Sequence, residues 1–260
     1  MKKILLYTIV CVVLCACIQA QTLQECKSER DKISGCVEKG YYENGNVSYE
    51  APYENGKQHG VAKEYYENGK LASEIPYENG KLHGVVKQYY ENGNPRLEAP
   101  HENDMQHGVA KEYYENGNPR LETSFEHNKK HGVEKKYYKN GKLKHEVIYN
   151  DDKPYQFVKV YYENGTLSYE VTHTDEEHGV AKAYYENGKL KYEIPYKNDK
   201  LHGVGKAYYE NGSLQAQVTY ENGNIVSGVC GDGKKIPNIH GLEEQKDIIH
   251  KIFESCSYRE

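Results

Sequence analysis

The chain has 260 residues, a formal charge of −5 and a mean hydropathy of −0.94. That polarity excludes a multi-span helical membrane protein, and the acidic balance offers nothing to nucleic acid or to an anionic lipid surface. Twenty-seven tyrosines stand beside 24 glycines, no tryptophan and 2 methionines, the composition of a β protein whose apolar contacts come from aromatic rings, not of a helical bundle.

Lys2 and Lys3 precede an apolar run from Ile4 to Leu14 and then small residues. Residues 1–20 therefore read as a secretory signal, too short to span a bilayer as a stable helix. Two endings are open. Leu14-Cys15-Ala16-Cys17 resembles the lipobox of bacterial lipoproteins, in which Cys17 would carry the lipid; Ala20 before Gln21 would instead serve simple cleavage. The expected location is the periplasm or outer membrane as a tethered lipoprotein, otherwise secretion. Loss of Lys2 and Lys3 leaves a mature charge of −7.

Residues 21–35 form a polar lead-in. Export places Cys26, Cys36, Cys230 and Cys256 in an oxidising space, where they are disulfide candidates. Four cysteines allow three connectivities, and the local solution is Cys26–Cys36 with Cys230–Cys256; free thiols are the alternative. No CxxC is present, which speaks against zinc or redox catalysis.

From 36 to 230 the chain repeats itself. Tyr-Tyr recurs at Tyr41, Tyr65, Tyr89, Tyr113, Tyr137, Tyr161, Tyr184 and Tyr208, at intervals of 24 residues with one of 23. His-Gly-Val stands six residues ahead of most of these pairs, and Asn-Gly follows almost all of them. A fixed period of this length signals an array whose units bury their faces against their neighbours. Each unit reads as a β-hairpin, with Asn68-Gly69 and its counterparts as two-residue type I′ turns. Residues opposed across that turn would then be Tyr66 and Leu71, Lys63 and Glu74, Ala62 and Ile75, and Gly60 and Tyr77. Lys opposite Glu recurs along the chain and holds register, because a one-residue slip would reverse every side chain.

This arithmetic yields two faces. One carries the strand glycines, each covered by the ring opposite, with the second tyrosine of each pair, Leu71 and Ile75; it is the packed face. The other carries Lys, Glu, proline and the first tyrosine. Pro154-Tyr155-Gln156-Phe157 replaces His-Gly-Val in one unit, and the turn from Thr174 to Glu177 is one residue short, so an irregularity is expected there. About 16 strands make an elongated antiparallel meander, an all-β repeat array in a twisted or rolled open sheet. Residues 231–260 form a C-terminal cap, in which Leu242, Ile249, Ile252 and Phe253 give a helix from Leu242 to Ser255 one apolar face.

Tyr-Tyr-x-Asn-Gly-Lys-Leu with a following Tyr-x-Asn-Gly-Lys-x-His-Gly resembles the bacterial variant of the membrane occupation and recognition nexus (MORN) repeat, over about 180 residues. The resemblance implies a repeat protein without a catalytic residue to transfer. Bacterial members of this variant are often labelled antitoxins, and the parent family was named for membrane association.

The six His-Gly-Val histidines recur once per unit, about 9.5 Å apart, too far to share a metal whose ligands all lie about 2 Å away. The carboxylates recur likewise, whereas catalytic sites are singular, and no nucleophile, phosphate-loop or zinc-protease motif is present. The expectation is therefore no enzyme, no cofactor and no metal. The reading is an exported protein-interaction scaffold at the cell envelope, with an antitoxin or immunity role or a membrane- or glycan-binding module as alternatives. The expected partner is another protein and not nucleic acid, with membrane contact only through lipid on Cys17. Tyr89, Tyr113 and Tyr137 are the candidate partner-binding residues, because folding gives no evident reason to keep large rings on a wet face.

Overall fold

Asn-Gly pairs set the rhythm of this chain, and the computed structural model, which describes residues 23–173, 177–236 and 255–256, builds two different turns from them. The leader 1–20 with Cys17, and all but the last residue of the expected Leu242–Ser255 helix, lie outside the described residues.

The first turn lies inside each hairpin. Gly69 N donates to Tyr66 O and Tyr66 N to Lys70 O, both at 2.8 Å. Gly69 has φ +82°, while Asn68 keeps an ordinary negative-φ backbone. This is a three-residue loop, a type I turn closed by a glycine bulge, and not the two-residue type I′ turn expected there. It moves the pairing by one residue, so that Tyr65 and not Tyr66 stands opposite Leu71. Ala72 then bulges and cancels the shift. Lys63 accordingly meets Glu74, Ala62 meets Ile75 and Gly60 meets Tyr77. Two errors of opposite sign left the long-range register unchanged.

The second turn joins one hairpin to the next. Asn55 and Gly56 have φ +52° and +73° between the paired residues Glu54 and Lys57. Here is the type I′ turn, whose twist suits the strands it joins. Elsewhere its two positions hold Asn103-Asp104, His127-Asn128, Asp151-Asp152 and Asn198-Asp199, all at positive φ without glycine. Asn and Asp tolerate this region, and here their side chains gain partners. The Asp104, Asn128 and Asp152 carboxylate or amide oxygens accept the backbone N–H of Leu82, Gln106 and Lys130 in the preceding unit.

Among the described residues, 21 strand segments form one antiparallel sheet, a meander in which each whole strand pairs with the strand before it and the strand after it. They make eight hairpins and a last strand, Asn224–Cys230. The count exceeds 16 mainly because a bulge at His-Gly cuts four strands in two, as between Lys57–Gln58 and Gly60–Tyr65. Gly60 has φ +102°, and Pro52 Cγ lies 3.3 Å from the place of a Cβ. Backbone conformation, not a covering ring, is what demands glycine there. A ring does cover Gly179, where Tyr196 Cζ stands 2.2 Å from that place.

The irregular region takes a form set by its length. Gln156 and Phe157 are bypassed between the Val147–Val158 and Ile148–Tyr155 pairs, so that unit keeps the bulge without His-Gly. One unit later, strand Leu167–His173 runs unshifted along His178–Tyr184. The missing residue thus removes a bulge and leaves the ladder intact.

Small residues line the packed face: Ala51, Ala62, Ala99, Ala110, Val147, Ile194 and Ala216 are buried. The largest apolar cluster lies near the carboxyl end, where Ile194, Val218, Tyr220 and Ile225 meet Ile236 and Cys256. Both ends are covered. Cys26 is bonded to Cys36, and residues 24–26 pair with Val37 beside a short helix, Asp31–Ser34. Cys230 is bonded to Cys256, and Ile236 N donates to Gly228 O on the last strand.

Candidate interaction surface

Strand alternation puts the first tyrosine of each pair on the outer face with Lys and Glu. There its hydroxyl reaches back to the preceding unit. Tyr65 donates to Glu50, Tyr89 to Glu74, Tyr113 to Glu98 and Tyr137 to Glu122, at 2.9 to 3.1 Å. Burial, then the bond to a carboxylate and that group's charge, pushes the phenols of Tyr65, Tyr113, Tyr137 and Tyr184 up to about 12. Tyr89, Tyr113 and Tyr137 are half-buried. The premise that folding gives these rings no task is therefore wrong, since each one clasps its neighbour.

The second tyrosine reaches forward. Tyr42, Tyr66, Tyr90, Tyr114, Tyr138, Tyr162 and Tyr185 donate to the backbone carbonyl of the next unit's first tyrosine, at 2.5 to 2.8 Å. Tyr209, with no complete unit after it, donates to the Cys256 carbonyl. Sequence reasoning gave these rings only packing; the one signal of their role was that the pair recurs once per unit.

Between these clasps the Lys–Glu ladder stays in register, and Lys111 stands opposite Glu122. It closes most tightly at Lys39–Glu50, 2.7 Å, where the lysine holds the Glu50 carboxyl below its usual range. Beside the ladder runs an apolar row. Val61 faces Pro76, Val85 faces Pro100 and Val109 faces Ser124, and the three valines are 45%, 41% and 47% exposed.

Among the described residues one carboxylate is buried on the packed face. Glu134 occupies the position held elsewhere by Ala62, Val86 or Ala110, and its side chain is 1% exposed. Lys130 and Thr123 donate to its Oε2. The Lys136 ammonium lies 3.3 Å from Oε1, an ion pair without hydrogen-bond alignment. Burial opposes ionisation here, but the two lysines outweigh it and lower the carboxyl's pKa. Diagonally across, His145 keeps a buried Nδ1 without a partner, and burial lowers its pKa. Its sequence signal is a Glu directly after His-Gly-Val, where the other His-Gly-Val units carry Ala, Val or Gly.

Of the His-Gly-Val histidines, His59 lies 3.7 Å from Glu54, His83 3.6 Å from Glu78 and His131 3.7 Å from Asp151. Among the described residues no three His, Cys, Asp or Glu side chains converge as metal ligands would.

A family model described as MORN repeat variant matches eight segments: 37–55, 58–79, 82–103, 106–127, 130–151, 158–175, 177–198 and 201–222. The chain belongs to the MORN repeat variant family. A search of curated proteins returns no match. A MORN match such as 58–79 spans one hairpin and ends in the type I′ turn that leads to the next. The sixth MORN match begins only at 158, past the residues that replace His-Gly. The four disulfide-bonded cysteines lie outside the eight matched MORN segments, whereas Glu134 lies within the fifth.

Proposed function

We propose that this MORN repeat protein is an exported, non-enzymatic scaffold that binds another protein along the outer face of its sheet. The observation that carries the reading is the exposed Val61, Val85 and Val109 row, which runs beside the half-buried tyrosines Tyr89, Tyr113 and Tyr137. Regular apolar exposure on a sheet already satisfied in its own hydrogen bonds favours contact with a partner. The periodic placement of the outer-face acids supports a role without catalysis, and four paired cysteines support an oxidising destination.

A photo-cross-linking residue placed at Val85 or Val109 in the producing cell tests the surface, with exposed Glu67 in a hairpin loop as control. A discrete protein adduct from the valine positions and none from Glu67 supports the assignment; equal or absent adducts overturn it. Export is tested separately. Metabolic labelling with a fatty-acid probe should mark the wild type and not Cys17→Ala, whereas a soluble unlabelled product starting at Gln21 would replace tethering by simple cleavage.

A further inference from the structure

Eleven Asn-Gly pairs occur in the chain, all with the local sequence that favours loss of the asparagine amide. In that reaction the glycine backbone nitrogen attacks the asparagine Cγ and ammonia leaves. The cyclic imide that forms is then opened by water to aspartate or isoaspartate. The side chain must rotate to bring Cγ to that nitrogen, so hydrogen bonds that pin it oppose the reaction.

The two turns treat the side chain differently. In the hairpin loops, asparagine Oδ1 accepts the backbone N–H two residues on, as Asn92 does from Asn94 and Asn116 from Asn118. Nδ2 meanwhile donates to a carbonyl of the next unit's loop: Asn44 to Glu67, Asn92 to Glu115, Asn116 to Lys139, Asn140 to Glu163, Asn164 to Glu186 and Asn187 to Glu210. Asn68 and Asn211 keep the Oδ1 bond. In the type I′ turns the glycine N–H is held, Gly56 to Lys32, Gly80 to Gln58 and Gly223 to Leu201. The side chains of Asn55, Asn79 and Asn222 are exposed and make no hydrogen bond within the described residues.

We infer that Asn55, Asn79 and Asn222 are the chain's sites of spontaneous deamidation, and that stacking of the units protects the other eight. One hydrogen bond must break at each of the three; two or three must break in the loops. Each further bond slows the reaction several-fold, so the three sites should react about tenfold faster or more.

Peptide mapping by mass spectrometry tests this on the folded, full-length protein held at mildly alkaline pH. The amide-to-acid mass gain should accumulate first at Asn55, Asn79 and Asn222. Asn68 and Asn211 should follow, and the doubly pinned asparagines should come last. In denaturant the eleven rates should converge. Equal rates in the folded protein would overturn the inference, and so would a ranking that survives denaturation, since local sequence would then be its cause.

Discussion

Replacing Tyr66, Tyr114 and Tyr162 together by Phe probes the forward clasp directly. Each substitution keeps the ring and removes one hydroxyl, the donor to Tyr89 O at 2.5 Å, Tyr137 O at 2.8 Å and Tyr184 O at 2.7 Å respectively. The half-buried carbonyls can recover water, so the full penalty for an orphaned acceptor does not apply, and each bond contributes about 1 kcal/mol. The three sites are two units, about 19 Å, apart and share no partner. Their effects should add to about 3 kcal/mol, a large share of the 5–15 kcal/mol typical of a folded chain. Urea unfolding followed by circular dichroism should show a lower midpoint. An unchanged slope would mean that the array still unfolds as one body, and a reduced slope that it now breaks between units. Tyr155→Phe, at an exposed ring, is the control. A triple variant within about 0.5 kcal/mol of that control would refute the claim that these hydroxyls hold the units together.

The backward clasp has a pH signature. The phenols of Tyr65, Tyr113, Tyr137 and Tyr184 are raised from 10.0 to about 12, so their stabilisation is complete below pH 10 and is lost as pH rises towards about 12. Tyr113→Phe with Tyr137→Phe should flatten that alkaline loss in a series of thermal melts. Glu134 acts at the other end of the scale: its carboxyl lies below 4.5, so its contribution is present above that value and fades as pH falls through the depressed one. Glu134→Gln should cost about 1–3 kcal/mol at neutral pH and shrink the acid loss, as denaturant titrations at several pH values would show. Gly84→Ala should destabilise by about 1–3 kcal/mol, because φ is +113° and Pro76 Cγ stands 3.1 Å from the new Cβ; an unchanged melting temperature would contradict that strain.

The array, its period and its long-range register were legible in the sequence because they depend on local alternation repeated eight times. A residue pattern of period two assigns the faces away from the loop, and Lys opposite Glu marks the register in unit after unit. Beside the loop, however, the three-residue turn puts Leu71 opposite the outer-face Tyr65 and not on the packed face expected for it. Turn type was not legible. Asn-Gly can supply either two positive-φ residues or a single glycine bulge, and pairing of the flanking strands selects between them. The Ala72 bulge then hid the error from any count of opposed residues. The contacts between units were also beyond reach, because a tyrosine hydroxyl finds a carbonyl 23 residues away only once the sheet sets two loops side by side. Glu134 illustrates the remaining gap. Its place in the pattern was visible, but whether a buried carboxylate is tolerable depends on Lys130, Lys136 and Thr123 closing around it, and that is decided by side-chain geometry in three dimensions.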